Sequence, residues 1–155
     1  MSEHVNLQAI ARLVPHGARV LDLGCGDGAL LDHLQKSRGC TGYGVELDDA
    51  NIQACVQRGV NVIQLNLDEG LTMFADQSFD VVLQIDTLQH LRNAEVMLRE
   101  TVRVGRTGIL AFPNFAQLAT QNHLKIIDSF GLQEGQEVRG WPNLMAGTAV
   151  FKLQR

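Results

Sequence analysis

The architecture expected of this chain follows from nine residues, Val20-Leu21-Asp22-Leu23-Gly24-Cys25-Gly26-Asp27-Gly28. The apolar residues around Asp22 are typical of a short buried strand, and glycine then occupies every second position from 24 to 28. Glycine adopts left-handed backbone conformations and lacks the Cβ atom that would keep a ligand away from the main chain. Such a turn, at the carboxyl end of the first strand of an open α/β sheet, predicts a ligand crevice.

Strand and helix patterns alternate along the rest of the chain. Strands are predicted at residues 18–23, 43–46, 60–65, 79–85 and 108–112. Helices are predicted at residues 7–14, 27–37, around 52–56, 94–102 and 118–130. The last part, residues 136–153, has the pattern of two strands joined by a turn around 142–143. Alternation with short connections indicates a parallel sheet covered by helices on both faces, an α/β/α sandwich of three layers, with an antiparallel C-terminal hairpin.

Composition limits the classes of protein that this chain can belong to. Its 155 residues are 45% hydrophobic and 19% charged, which suits one globular domain over residues 1–155. The formal net charge of -4 shows no basic excess, so nucleic acid is not an expected partner. No apolar run approaches the roughly 20 residues of a membrane helix, and the N-terminus has no signal-peptide pattern. We therefore expect a cytoplasmic protein that binds no membrane.

Neither the cysteines nor the histidines predict a metal site. Cys25, Cys40 and Cys55 form no Cys-x-x-Cys pair, so neither a disulfide framework nor structural zinc is expected. Cys40 and Cys55 are interpreted as small buried hydrophobes. The histidines are scattered, and the adjacent acids Asp48 and Asp49 stand at a predicted helix start, where they would stabilise the helix dipole.

Glu46 ends the second predicted strand, where an acidic side chain can accept hydrogen bonds from both hydroxyls of a ribose. An adenosine-containing cofactor is therefore expected. The glycines do not decide which one, because Gly24, Gly26 and Ala29 also satisfy the loose dinucleotide fingerprint G-x-G-x-x-G/A. A glycine-rich turn that serves only strand–helix packing is a third interpretation.

Charge favours a cationic cofactor over a dinucleotide. Asp22 and Asp27 would both repel an anionic pyrophosphate, whereas they would attract the sulfonium and ammonium groups of S-adenosylmethionine. Chain length points the same way, because a dehydrogenase generally needs a second domain to hold its substrate.

The nonapeptide resembles motif I of the class I S-adenosylmethionine-dependent methyltransferases, and the chain as a whole resembles the MetW family of methionine-biosynthesis, methyltransferase-like proteins. The matching stretches are residues 42–48, 59–64, 67–71, 76–80, 87–89, 98–100, 103–106 and 112–115. Asn-Val-Ile-Gln, Leu-Asp-Glu-Gly-Leu and Pro-Asn-Phe are the most selective of them. The resemblance implies a Rossmann-like fold with a mostly parallel sheet of seven strands in the order 3-2-1-4-5-7-6.

The resemblance also implies a cofactor site. Its members would be Asp22, Gly24, Cys25, Gly26, Gly28, Glu46, Leu47, Asn66, Leu67 and Ile85. The glycines would admit the methionyl part of the cofactor and Asp22 would bind its ammonium group. Glu46 would hold the ribose, while Leu47 and the turn at 66–68 would face the adenine. The Ile85 carbonyl, followed by Asp86 and Thr87, would border the methyl group.

Two departures from the family concern the acceptor side of this site. Family members usually carry a long basic and aromatic insertion after Pro-Asn-Phe, which this chain lacks. Ile85-Asp86 replaces a pair that is commonly small and polar. A separate departure lies on the adenine side, where Asn66 stands at a position that is frequently Asp. The catalytic residues are unknown from the sequence; Asp86 and His90 are candidates for an acid or base, and a solvated loop histidine is the commoner role for His90.

Two functions follow from the resemblance. One is a small-molecule methyltransferase linked to methionine biosynthesis. The other is a non-catalytic, S-adenosylmethionine-binding partner of homoserine O-acyltransferase.

Overall fold

A computed structural model describes residues 7–111, 125–133, 136–138 and 148–154. The strands are β1 Arg19–Leu23, β2 Thr41–Glu46, β3 Val62–Gln64, β4 Phe79–Ile85, β5 Gly105–Ala111, β6 Lys125–Gln133, β7 Gln136–Val138 and β8 Thr148–Gln154. The α-helices are α1 Leu7–Leu13, α2 Ala29–Arg38, α3 Asp49–Arg58 and α4 Ala94–Val104. Two 3-10 helices, Leu67–Glu69 and Leu88–His90, follow β3 and β4.

The strands form one sheet in the order β3-β2-β1-β4-β5-β8-β6-β7. The first five strands are parallel, whereas β8 pairs antiparallel with both β5 and β6. The predicted mostly parallel α/β sheet is confirmed, as is the insertion of the last strand beside β5. The predicted count of seven strands is wrong by one, because β7 adds a three-residue edge strand paired with β6.

Helices bury apolar side chains against both faces of the sheet. On one face, Ile10 of α1 and Leu34 of α2 pack in one cluster with Val20 and Val81 of the sheet. On the other face, Leu98 of α4 packs with the remaining inward-facing strand residues. Strand side chains alternate between faces, so a single strand such as β1 contributes to both clusters. The result is the three-layer α/β/α sandwich.

Side-chain and glycine caps set the helix boundaries close to the predicted ones. Asp48 accepts a hydrogen bond from the Asn51 N–H at the start of α3 (2.9 Å), which confirms its capping role. Gly59 caps the other end of α3, where it adopts a left-handed backbone with φ 77°.

The C-terminal prediction is wrong in two respects. The helix predicted at 118–130 falls partly outside the described residues, and its described part, from 125 onward, belongs to β6. Ile126 and Phe130 are four residues apart, a spacing that suits a helix face and a strand face equally, so pairing with β8 decides the structure. The hairpin predicted from 136 to 153 does not form either, because β7 pairs with β6 while β8 lies between β5 and β6. The predicted turn at 142–143 lies outside the described residues.

Within the described part of the chain, none of the helices combines the length and the apolar character needed to span a membrane.

Candidate functional site

The glycine turn lies at the carboxyl edge of the sheet, in the crevice where β1 has β2 on one side and β4 on the other. The N–H groups of Gly24 and Cys25 both donate to the carbonyl of Val45, at 2.9 and 3.0 Å. These bonds continue the pairing of β1 and β2 into the turn. Because the strand order reverses at this point, the turn occupies the position where open α/β sheets bind ligands.

Asp22 is a buried carboxylate directly beneath this turn. Only 3% of the residue is exposed, and it pairs in register with Gly44 of β2 and Leu83 of β4. Burial, and to a lesser extent the negative charge of Glu46, raises the pKa of Asp22 to about 7. A carboxylate in this environment gains stability from any cation that enters the crevice.

Glu46 holds the opposite wall of the crevice through bonds to the backbone. Its Oε2 atom accepts from the Gly26 N–H at 2.9 Å, and its Oε1 atom accepts from the N–H groups of Leu47 and Asp48 at 2.8 and 3.1 Å. Glu46 therefore joins the glycine turn to the loop after β2.

The three glycines of the turn have different surroundings. A Cβ atom on Gly26 (φ 56°) would point into open space, with no protein atom within 4 Å among the described residues. A Cβ atom on Gly24 would lie 2.5 Å from the Thr87 hydroxyl oxygen, and one on Gly28 would lie 3.0 Å from the Cys55 sulfur. Gly26 thus leaves a cradle open, whereas Gly24 and Gly28 allow neighbouring elements to pack against the turn.

Thr87 fixes the end of β4 to the glycine turn. Its hydroxyl donates to the carbonyls of Leu23, at 2.9 Å, and Ile85, at 3.1 Å. The next residue back, Asp86, has φ 55°, an unusual value for a residue with a side chain, and its N–H donates to the Ala111 carbonyl at 3.1 Å. The structure therefore brings the Ile85 carbonyl, Asp86 and Thr87 to the edge of the crevice.

The loops after β2 and β3 contain the residues predicted to face adenine. Leu47 follows the end of β2 and is 56% exposed. Asn66 accepts from the Asp68 N–H through its side-chain oxygen, at 3.1 Å, and caps the 3-10 helix that follows. Leu67 is buried in the core, so its side chain is not free to face the adenine.

The two candidate catalytic residues lie close together after β4. Asp86 is half-buried, and burial raises its pKa, although nearby His90 opposes the shift. His90 itself is exposed at the end of the second 3-10 helix. Neither geometry assigns a proton-transfer role, and catalysis by these residues stays a prediction.

Among the described residues, no group of three or more His, Cys, Asp or Glu side chains is arranged to hold a metal ion.

Two contacts of the turn were not predicted from the sequence. Arg58 of α3 forms an ion pair with Asp27 (2.7 Å), and the sulfurs of Cys25 and Cys55 lie 3.8 Å apart. Both contacts join the turn to α3, roughly thirty residues later, and no local pattern predicts such a long-range contact. Cys40 and Cys55 are buried, as predicted.

The fold is that of the class I S-adenosylmethionine-dependent methyltransferases. A TehB-like methyltransferase from Corynebacterium glutamicum superimposes with a TM-score of 0.77 over 97% of this chain and 86% of its own, at 20% identity. A methyltransferase from Aquifex aeolicus gives a TM-score of 0.71 over 99% of this chain and 92% of its own, at 16% identity. At these identities, the likeness concerns the fold alone.

Sequence similarity defines the family. The profile of "Methionine biosynthesis protein MetW" matches residues 4–133. The chain is also 38% identical over 128 residues to the bifunctional methionine biosynthesis protein MetXA/MetW of Rhodopirellula baltica, a match that covers 77% of this chain and 20% of that protein. The chain belongs to the MetW family. It spans less than half the length of the first curated relatives that it matches.

The raised pKa of Asp22 predicts how the free energy of unfolding depends on pH. The folded-state pKa is about 7 and the reference value is 3.8, so unfolding releases a proton between these two values. The stabilising effect of protonated Asp22 is complete below the lower value and is lost as pH rises to about 7, at up to roughly 1.4 kcal/mol per pH unit. Asp22→Asn should therefore raise the free energy of unfolding at about pH 8 and flatten this slope, as measured by urea unfolding.

Glu95→Gln, which removes an exposed charge in the first turn of α4, is the matched control and should leave the slope unchanged. Equal slopes for Asp22→Asn and the unsubstituted protein would show that Asp22 is ionised when folded.

Proposed function

We propose that this chain binds S-adenosylmethionine at the glycine turn. The observation that supports the proposal most directly is Asp22, a nearly fully buried carboxylate that receives no hydrogen bond from any described residue. An ammonium group beside Asp22 would supply the missing donors and the missing positive charge together. The open space above Gly26 provides room for the part of the cofactor that joins this ammonium to the sulfonium.

The remaining walls of the crevice suit the nucleoside part of the same molecule. Glu46 presents a carboxylate whose oxygens already accept backbone N–H groups and can accept further hydrogen bonds from ribose hydroxyls. The exposed side chain of Leu47 offers an apolar surface for the adenine ring. The site residues implied by the family resemblance therefore have the chemistry that the cofactor requires.

A dinucleotide is the alternative occupant of a glycine turn, and the charges of this one oppose it. A pyrophosphate would approach Gly26, whose N–H is already engaged by Glu46, and would lie close to Asp22. Two carboxylates would repel the two phosphate charges, whereas they stabilise a sulfonium and an ammonium group.

When bound, S-adenosylmethionine supplies a methyl group that is already activated by its positive sulfur. The protein's contribution would then be orientation, which can account for up to roughly 7–11 kcal/mol of a reaction barrier. Asp22 would hold the ammonium and Glu46 the ribose, while Thr87 and the Ile85 carbonyl would border the position of the methyl group. We propose a methyltransferase reaction on this basis, linked to methionine biosynthesis.

A second candidate, in which the chain acts on a partner enzyme, is supported by a different observation. The relative from Rhodopirellula baltica is named as a bifunctional MetXA/MetW protein, so a MetXA part and a MetW part share one chain. Linking two modules in one chain raises their effective concentration and favours joint action. We propose as the second candidate that the chain, with S-adenosylmethionine bound, regulates homoserine O-acyltransferase as a separate partner.

Gly26→Val should abolish S-adenosylmethionine binding, because a branched side chain would fill the cradle, and isothermal titration calorimetry measures the loss. Gly17→Val is the matched control, since Gly17 has a similar backbone (φ 69°), faces open space and lies before β1, at the opposite edge of the sheet. Both variants should lose about 1–2 kcal/mol of stability from the left-handed backbone, and only the first should lose the cofactor. Retained affinity in Gly26→Val would show that the ligand lies elsewhere.

Glu46→Gln should weaken S-adenosylmethionine binding by more than about tenfold, since the amide cannot replace a carboxylate that accepts from ribose and backbone together. Glu46→Ala should weaken binding further and also lower the melting temperature, because the bonds to Gly26 and Leu47 tie the turn to the loop. Glu95→Gln should bind like the unsubstituted protein. An unchanged dissociation constant in Glu46→Gln would remove the ribose role.

One experiment distinguishes the two proposed functions, methyl transfer and regulation of the acyltransferase. The protein is incubated with methyl-labelled S-adenosylmethionine, purified homoserine O-acyltransferase and a cell extract. A methyltransferase should release S-adenosylhomocysteine and leave label on an acceptor. Binding without release, together with an acyltransferase rate that depends on S-adenosylmethionine, would contradict the enzyme and support the regulatory partner.

A further inference from the structure

Two cysteine side chains contact each other where α3 packs against the glycine turn. The sulfur atoms of Cys25, in the turn, and Cys55, on α3, lie 3.8 Å apart, and both cysteines are free. Cys25 is half-buried and so accessible to a small oxidant, whereas Cys55 is 0% exposed. The third cysteine, Cys40, hydrogen-bonds the Pro15 carbonyl instead.

Both sulfurs also contact the carbonyl oxygen of Gly26, the residue that leaves the cradle open. The Cys55 thiol donates to this oxygen at 3.2 Å, and the Cys25 sulfur lies 3.7 Å from it. The N–H of the same residue donates to Glu46. The two thiols therefore help to set the orientation of a peptide segment that lines the candidate site.

We propose that Cys25 and Cys55 form a reversible oxidation site, in which a disulfide between them lowers affinity for S-adenosylmethionine. The effect on affinity rests on the proposed function, whereas formation of the disulfide does not. A disulfide requires the sulfurs to approach to about 2.05 Å, so they must close less than about 2 Å from their present separation.

The reaction balances with a peroxide as the oxidant. The Cys25 thiol loses its proton and attacks one peroxide oxygen, which breaks the O–O bond and gives a sulfenic acid and one water. The Cys55 thiol then attacks the Cys25 sulfur, forms the S–S bond and displaces a second water. Two electrons pass from the thiols to the peroxide, and a dithiol reductant reverses the step.

The surroundings of the two thiols should make their oxidation slow at neutral pH. Burial raises the pKa of both thiols, and the charges that face them add to the shift, from Asp22 and Glu46 for both and from Asp27 for Cys55. Since the thiolate is the attacking form, oxidation should accelerate as pH rises.

Disulfide formation would remove both thiol hydrogens and with them the contacts to the Gly26 carbonyl. It would also move the Cys55 sulfur, which packs closely against Gly28 of the turn because Gly28 has no side chain. The Gly26 segment would then shift relative to Glu46.

The test treats the reduced 155-residue chain with hydrogen peroxide, alkylates the remaining thiols, and combines peptide mass mapping with calorimetry. We expect a linked Cys25–Cys55 peptide, formed faster at about pH 9 than at about pH 7, and affinity for S-adenosylmethionine that falls by about tenfold and returns with dithiothreitol.

Cys55→Ser retains a hydrogen-bond donor to Gly26 and should keep its affinity after peroxide treatment, whereas Cys40→Ser should remain as sensitive as the unsubstituted protein. Cys25 oxidised to a sulfinic acid without a linked peptide, or a linked peptide with unchanged affinity, would overturn the proposal. Failure of the reduced protein to bind S-adenosylmethionine would instead overturn the proposed function, and peptide mapping alone would then decide whether the disulfide forms.

Discussion

The hydrogen bond from the Gly26 N–H to the Glu46 carboxylate connects the two walls of the crevice, and the arrangement of the site depends on it. On one side, it holds a turn whose middle glycine faces open space; on the other, it holds the loop that exposes Leu47. Asp22 lies beneath the same turn, close enough to Glu46 for the charge of Glu46 to disfavour ionisation of Asp22. Such an arrangement opposes stability in the absence of a cation, which is a common feature of binding sites.

Sheet topology explains why these groups meet. β1 has β2 on one side and β4 on the other, so the loops after these three strands emerge side by side at one edge. Thr87, after β4, hydrogen-bonds the last residue of β1 and thereby joins the third loop to the first. Asp22, Glu46 and Thr87 come from distant parts of the chain, and the parallel arrangement brings them into one crevice.

Cofactor binding and methyl transfer make different demands on this chain. The described residues provide charge, hydrogen bonding and apolar surface suited to S-adenosylmethionine. For the proposed methyl transfer, the candidate groups are Asp86, held in an unusual backbone conformation, and the exposed His90. Both the methyltransferase and the regulatory proposal therefore require the same cofactor site, and they differ only in what approaches its outer edge.

Arg103 and Arg92, which stand on and just before α4, have different surroundings. Arg103 turns toward Glu100 and Asp76, at 2.7 and 2.8 Å, and also binds the carbonyls of Leu71 and Phe74. It fixes the loop before β4 to α4, whereas Arg92 is 92% exposed at its side chain. These contacts give Arg103 a structural role.

The sequence by itself determined the parallel α/β core, the glycine turn and the acidic residue that ends β2, because strand periodicity, glycine spacing and helix caps are local properties. Tertiary structure alone decided that residues 125–133 form a strand, since a four-residue apolar spacing suits either element until β8 pairs with it. It also decided that Gly28 accommodates Cys55 while Gly26 faces open space, and that two cysteines thirty residues apart lie 3.8 Å from each other. These features arise from the packing of α3 against the turn, and contacts between distant segments have no signature in a single sequence.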